Sequence, residues 1–121
     1  LTAATAALAL AVVGCSTADD DAPASGGTQE DTSWSDVQEA GVLVVGTEGT
    51  YRPFSFHEDG SGDLAGYDVE VIQAVADELG VDVEFEETQW DAIFAGLEAG
   101  RFDVIANQVS ITPEREEAYT F

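Results

Sequence analysis

The sequence contains no lysine, and its only strong bases are Arg52, Arg101 and Arg115, set against 25 acidic residues. A net charge of −22 repels nucleic-acid phosphates and anionic lipid headgroups, which excludes nucleic acid as a partner. The acidic excess reads as a solvated face suited to solubility or a salty habitat. Cys15 is the only cysteine, so no internal disulfide can form. With one cysteine and one histidine, no Cys/His metal set can be assembled, and the acidic runs lack the ligand spacing of a calcium loop. Gly46-Thr47-Glu48-Gly49 lacks the Lys-Ser/Thr ending of a phosphate cradle, and His57 stands beside no Ser or Cys nucleophile motif. No catalytic residue, metal or cofactor is expected. Nor does any apolar run reach the roughly 20 residues needed to span a bilayer.

What is present begins with an address. Residues 1–14, LTAATAALALAVVG, have the length and composition of a signal-peptide hydrophobic region. Val12-Val13-Gly14-Cys15, followed by Ser16-Thr17, places an aliphatic, a tolerant and a small residue before cysteine. That order resembles a bacterial lipobox, and the resemblance implies a diacylglycerol on the Cys15 sulfur that anchors the chain to the membrane as a lipoprotein. The alternative for Cys15 is an incidental free thiol. Residues 15–38 are rich in Ser, Thr, Gly, Ala and Asp, a composition that reads as a disordered tether. Folding is expected from Glu39, over residues 39–121. The chain opens without Met and stops at Tyr119-Thr120-Phe121 inside an apolar run, so it is expected to be a piece of a longer protein, too small to fold stably alone.

Across 39–121 the periodicity alternates. Val42-Leu43-Val44-Val45 reads as a buried strand. Phe54-Ser55-Phe56 and Leu64-Ala65-Gly66 flank a turn-rich stretch and predict a hairpin with a long loop. Val71, Ile72, Val75, Ala76 and Leu79 recur at helical spacing, with Asp68 as a cap and Gly80 as a stop. Val81 to Phe85 alternates with period two and predicts a strand. A second helix is expected from Trp90 to Ala99, with Thr88 and Asp91 as a capping box and Trp90, Ile93, Phe94 and Leu97 as its apolar stripe. Asp103 to Ala106 reads as a third strand, and Thr112-Pro113-Glu114-Arg115 opens another helix. Strand, helix, strand, helix, strand implies an α/β layered sheet with right-handed crossovers. Ligands bind beyond the C-terminal ends of strands in such sheets, which points to loops 47–54, 88–91 and 107–115.

Those loops carry the candidate site residues. Arg115 lies in the first turn of a helix, where the dipole disfavours a cation. Either an anion is held there by the guanidinium, with Ser110 adding its hydroxyl, or Arg115 pairs at the surface with Glu114, Glu116 or Glu117. Glu48 follows the first strand and is either a receptor for an ammonium or a solvated loop acid. Tyr51, Phe54 and Trp90 are candidate pocket walls, although each also fits a core position, Trp90 most of all because it opens an apolar stripe.

The series GVLVVGTEGTYRPFSF, LAGYDVEV, Trp90-Asp91 and AGLEAGRFDVIANQVSITPER resembles the bacterial family-3 extracellular solute-binding proteins, the polar amino acid receptors of ABC importers, over about residues 38–121. The resemblance implies a type II periplasmic-binding-protein-like fold, with this chain holding part of lobe one only, a mixed sheet flanked by helices. It implies that Arg115 grips a ligand α-carboxylate, helped by Ser110. Asn107 and Gln108 would line the cleft, Glu48 would meet the ammonium or side chain, and Tyr51 and Trp90 would be walls. The motifs E-G-T-Y-x-P-F-S-F, Trp-Asp and N-Q-V look most like the cystine-binding branch, whereas Arg52 and Gln108 depart from the common family pattern. The expected function is extracytoplasmic capture of a polar amino acid, L-cystine foremost, by a monomer that delivers it to an importer permease. Two other readings compete: a cyclohexadienyl dehydratase-like lyase on the same scaffold, and a ligand-sensing domain, against which the lipobox argues.

Overall fold

The computed structural model describes residues 31–121. The apolar segment 1–14, Cys15 and the tether as far as residue 30 lie outside the described residues. Among the described residues no helix is long and apolar enough to cross a membrane.

The first element was not expected from the sequence. Helix α1, Ser33–Ala40, buries a single side chain, Val37, so it leaves no apolar stripe to read, and it starts the folded unit before Glu39. Gly41 ends it in a left-handed conformation. Strand β1, Val42–Thr47, then enters the centre of a three-stranded parallel sheet. Strand β5, Asp82–Glu87, pairs along its whole length on one side, Val42 opposite Asp82 through Thr47 opposite Glu87. Strand β6, Val104–Ile105, pairs on the other side, against Val45 and Gly46. A second, antiparallel sheet joins β2, Thr50–Tyr51, β3, Ser55–His57, and β4, Leu64–Ala65. The expected hairpin is therefore present as β3 and β4, and parallel and antiparallel pairings divide between two small sheets.

Helix α2, Tyr67–Leu79, ends at the expected Gly80 stop. Its start differs from expectation. Gly66 is the N-cap, and Asp68 is not a cap but a buried side chain in the first turn. The apolar stripe also splits. Val69 and Ala76 are buried and Ile72 packs on the core, whereas Val71, Val75 and Leu79 stay exposed, because the helix carries apolar residues on more than the one face it turns to the sheet. Helix α3, Trp90–Glu98, likewise begins after Gln89, with no Thr88–Asp91 capping box, and the Thr88 hydroxyl is buried without a partner among the described residues. Helix α4, Pro113–Glu116, matches expectation: the Thr112 hydroxyl accepts from the Arg115 backbone N–H, and Pro occupies the first turn.

The core forms where Val37, Leu43 and Val45 meet Ile72, Val83, Phe85 and Val104. On the α3 side, Ile93 is fully buried and the ring of Phe102 wedges between two glycines. A Cβ at Gly46 would lie 2.5 Å from that ring, and one at Gly96 would lie 2.7 Å from it. The close approach of α3 to β1 therefore requires the missing side chains. In the full-length protein, Gly46→Ala is expected to cost about 1–3 kcal/mol by overpacking, read as a lowered denaturation midpoint, and adding Phe102→Leu should recover part of it. An unchanged midpoint for Gly46→Ala would contradict this packing.

Candidate functional site

Parallel strands end at one edge of the sheet, and their last residues hand the chain to the loops that build the site. Beyond Thr47 of β1, Glu87 of β5 and Ile105 of β6, the chain forms a cleft of about 230 Å³ lined by Glu48, Tyr51, Trp90, Asn107, Gln108, Ser110 and Arg115. Seven of the eight expected binding residues thus converge. Phe54, the eighth, stands behind the wall with its ring 5.0 Å from that of Tyr51. A larger hollow of about 520 Å³ is walled mainly by apolar side chains of α2, α3 and 104–121, and the charged groups of the cleft do not face it.

One end of the cleft is set by a buried amide. Asn107 is 2% exposed, and its Oδ1 accepts from the Glu48 backbone N–H at 3.0 Å, the Thr47 hydroxyl at 3.3 Å and the Ser55 hydroxyl at 3.3 Å. Its Nδ2 donates to Glu48 Oε2 at 2.8 Å. Asn107 therefore holds Glu48 in place, and its amide is largely committed to the protein. Glu48 is half-buried and hydrogen-bonded, not the freely solvated acid that a loop position allowed.

The other end carries the cation. Arg115 donates from Nη1 to the Ser110 backbone carbonyl at 2.8 Å, and its guanidinium carbon lies 5.5 Å from the Trp90 ring centroid and 5.3 Å from that of Phe94. Ring faces attract the cation and hold the planar group. Among the described residues, the ion pairs are His57–Glu87 and Arg101–Glu86, so Arg115 has no carboxylate within pairing distance and the surface-pair alternative with Glu114, Glu116 or Glu117 is not realised. A guanidinium has five N–H donors, which leaves capacity for a bidentate anion. Ser110 contributes its carbonyl to the arginine and lines the cleft beside it. Trp90 is 39% exposed, at the cleft and not in the core, because α3 begins there and turns Ile93 inward instead. Gln108, in a left-handed backbone conformation, donates its Nε2 to Asp68.

Asp68 was expected only as a cap and Phe94 only as part of an apolar stripe, and neither Thr47 nor Ser55 was singled out. Ser55 carried a signal, a lone hydroxyl between two phenylalanines in a strand. Asp68 was open to a second reading as an acid amid apolar helix positions. His57 joins two segments near the site: Nδ1 lies 2.8 Å from the Gly62 carbonyl oxygen and Nε2 lies 2.9 Å from Glu87 Oε1. Both ring nitrogens face acceptors, so both protons are favoured. The hydrogen bond to Glu87 first, then the Gly62 carbonyl, hold the imidazole above its ordinary 6.5.

The family model for bacterial extracellular solute-binding proteins, family 3, matches residues 43–121. A probable amino-acid ABC transporter-binding protein of Haemophilus influenzae is 62% identical over 85 residues, 70% of this chain and 33% of its own. The L-cystine-binding protein TcyA of Bacillus subtilis is 57% identical over 88 residues, 73% of this chain and 32% of its own. The crystal structure of the L-cystine solute receptor of Neisseria gonorrhoeae, unliganded and open, superposes with a TM-score of 0.58 at 63% identity, covering 63% of this chain and 32% of that one. At lower identity, 37% over 84 residues, stands the cyclohexadienyl dehydratase of Pseudomonas aeruginosa, with 69% of this chain and 31% of the enzyme covered. The chain spans about a third of the length of the curated relatives it matches.

The His57 ion pair yields a pH prediction. A raised native pKa gives stability that is complete below the unfolded value of 6.5 and lost as pH rises through the native value. The thermal midpoint of the full-length protein should therefore fall as pH is raised from about 6 toward 8, and Glu87→Gln should flatten that slope. An identical slope in the variant would contradict the pairing.

Proposed function

The chain belongs to the bacterial extracellular solute-binding proteins, family 3, and on that premise we propose that it is the lobe-one portion of a receptor that captures a polar amino acid, L-cystine foremost, for an ABC importer. One observation carries the reading: Arg115, without a carboxylate partner among the described residues, and Glu48, held in place by Asn107, line the same small cleft. That polarity fits a zwitterion, the α-carboxylate on Arg115 and an ammonium at Glu48. Tyr51 and Trp90 supply amphipathic walls that exclude water from these contacts, which strengthens them. The greater similarity to amino-acid and cystine receptors than to the dehydratase favours binding over turnover.

In the full-length receptor, a second lobe would close over the ligand, and the closed form would dock on the permease. Ligand drives this only by binding the closed state more tightly than the open one. The receptor acts as a monomer outside the cytoplasm. The lipobox-like Val12-Val13-Gly14-Cys15 supports a lipoprotein anchored by diacylglycerol on Cys15. Replacing Cys15 by Ser should release the mature protein from the membrane fraction; continued membrane association would contradict the anchor.

Saturating the full-length receptor with cystine should raise its thermal midpoint, with about 2.7 kcal/mol of stabilisation at a hundredfold excess over Kd. Sugars should leave it unmoved. Arg115→Ala should weaken cystine binding by about a hundredfold, the equivalent of two hydrogen bonds to a charged group. No midpoint shift with any amino acid, or unchanged affinity in Arg115→Ala, would contradict the proposal.

A further inference from the structure

Asp68 is buried, and Gln108 is its only side-chain partner among the described residues. Among the described residues its second carboxylate oxygen, Oδ2, is buried with no hydrogen bond, and none of the ion pairs reaches it. A buried acid so poorly compensated is costly to keep, and such groups concentrate where function needs them. The residue it holds is Gln108, a non-glycine residue at φ 51° that lines the cleft beside Arg115 and Ser110. An amide has two ends of opposite character, a carbonyl that accepts and an NH₂ that donates. A carboxylate accepts only. Rotating the Gln108 amide by half a turn would set its oxygen against the Asp68 oxygen, two acceptors in contact with no proton between them. Asp68 therefore permits one orientation. With Nε2 committed to Asp68, the Gln108 carbonyl oxygen is the end left without a partner among the described residues.

We propose that Asp68 is a positioning residue: it locks the Gln108 amide so that its oxygen, an acceptor, faces the cleft and selects for a ligand ammonium. This rests on the amino-acid-binding reading above. The two acceptors Gln108 and Glu48 then serve cationic groups, while Arg115 serves the carboxylate. A ligand with two ammonium groups, such as cystine, has a use for both.

The experiment is a double-mutant cycle in the full-length receptor, with cystine as ligand and calorimetric affinity as the readout. Asp68→Asn keeps shape and volume but accepts either amide orientation. It should weaken binding about tenfold, the loss of one hydrogen bond to a charged group, while in a Gln108→Ala background the same substitution should change affinity by less than about twofold. A merely structural role for Asp68 would weaken both backgrounds alike, and that result, or unchanged affinity in Asp68→Asn alone, overturns the inference. Should Asp68→Asn fail to fold, the wild-type side-chain amide resonances decide. One Gln108 amide proton, assigned by its loss in Gln108→Ala, should lie downfield of those of the other glutamines and exchange slowly; ordinary shift and exchange overturn the lock. A wild-type receptor that binds no amino acid overturns the functional reading itself, whereas failure confined to the variants overturns the Asp68 assignment alone.

Discussion

The buried amide of Asn107 is the point on which the cleft depends. It ties the end of β1 and the start of β3 to the loop after β6, more than 50 positions away in sequence. Three donors share its oxygen, and its nitrogen orients Glu48. An unpaired buried polar group costs about 1–3 kcal/mol, so the pieces favour assembling together or not at all. Gly49 adds a further link by donating its N–H to the Ser55 hydroxyl, which donates in turn to Asn107. Such a network fixes geometry more than it adds stability.

Around that knot the fold is economical. Parallel pairing brings three strand ends to one edge, and the loops that follow need only a few residues each to reach the cleft. Close packing of α3 on β1 through Phe102 sets where Trp90 emerges, and Trp90 with Phe94 then sets where the Arg115 guanidinium rests. A packing choice in the core thus determines the position of a charge at the surface.

Much of this was legible in the residues. A continuous β-branched run located β1, period-two alternation located β5, three-to-four spacing located α2 and α3, and glycine and proline marked the ends of helices. The strand-end rule then picked out the three loops that form the cleft. What stayed hidden had physical causes. α1 buries only Val37, so it has no stripe. Asp68 and Thr88 have the chemistry of caps, and only the folded backbone shows that Gly66 and Gln89 take those places. Trp90 fits a core pattern because sequence periodicity cannot tell the first residue of a buried stripe from a residue at the cleft edge. Arg115 was undecided between ligand and surface pair, since which of several neighbouring acids a flexible side chain meets is a matter of three-dimensional placement.

On the proposed reading the cleft meets both charges of a zwitterion at fixed positions, the carboxylate at Arg115 above all. The most direct measurement is a calorimetric titration of the full-length receptor with cystine and, separately, with its dimethyl ester, which retains both ammonium groups but lacks both carboxylates. The ester should bind at least about a hundredfold more weakly, matching the loss of charge-assisted bonds to a guanidinium. Equal affinity for the two would contradict it.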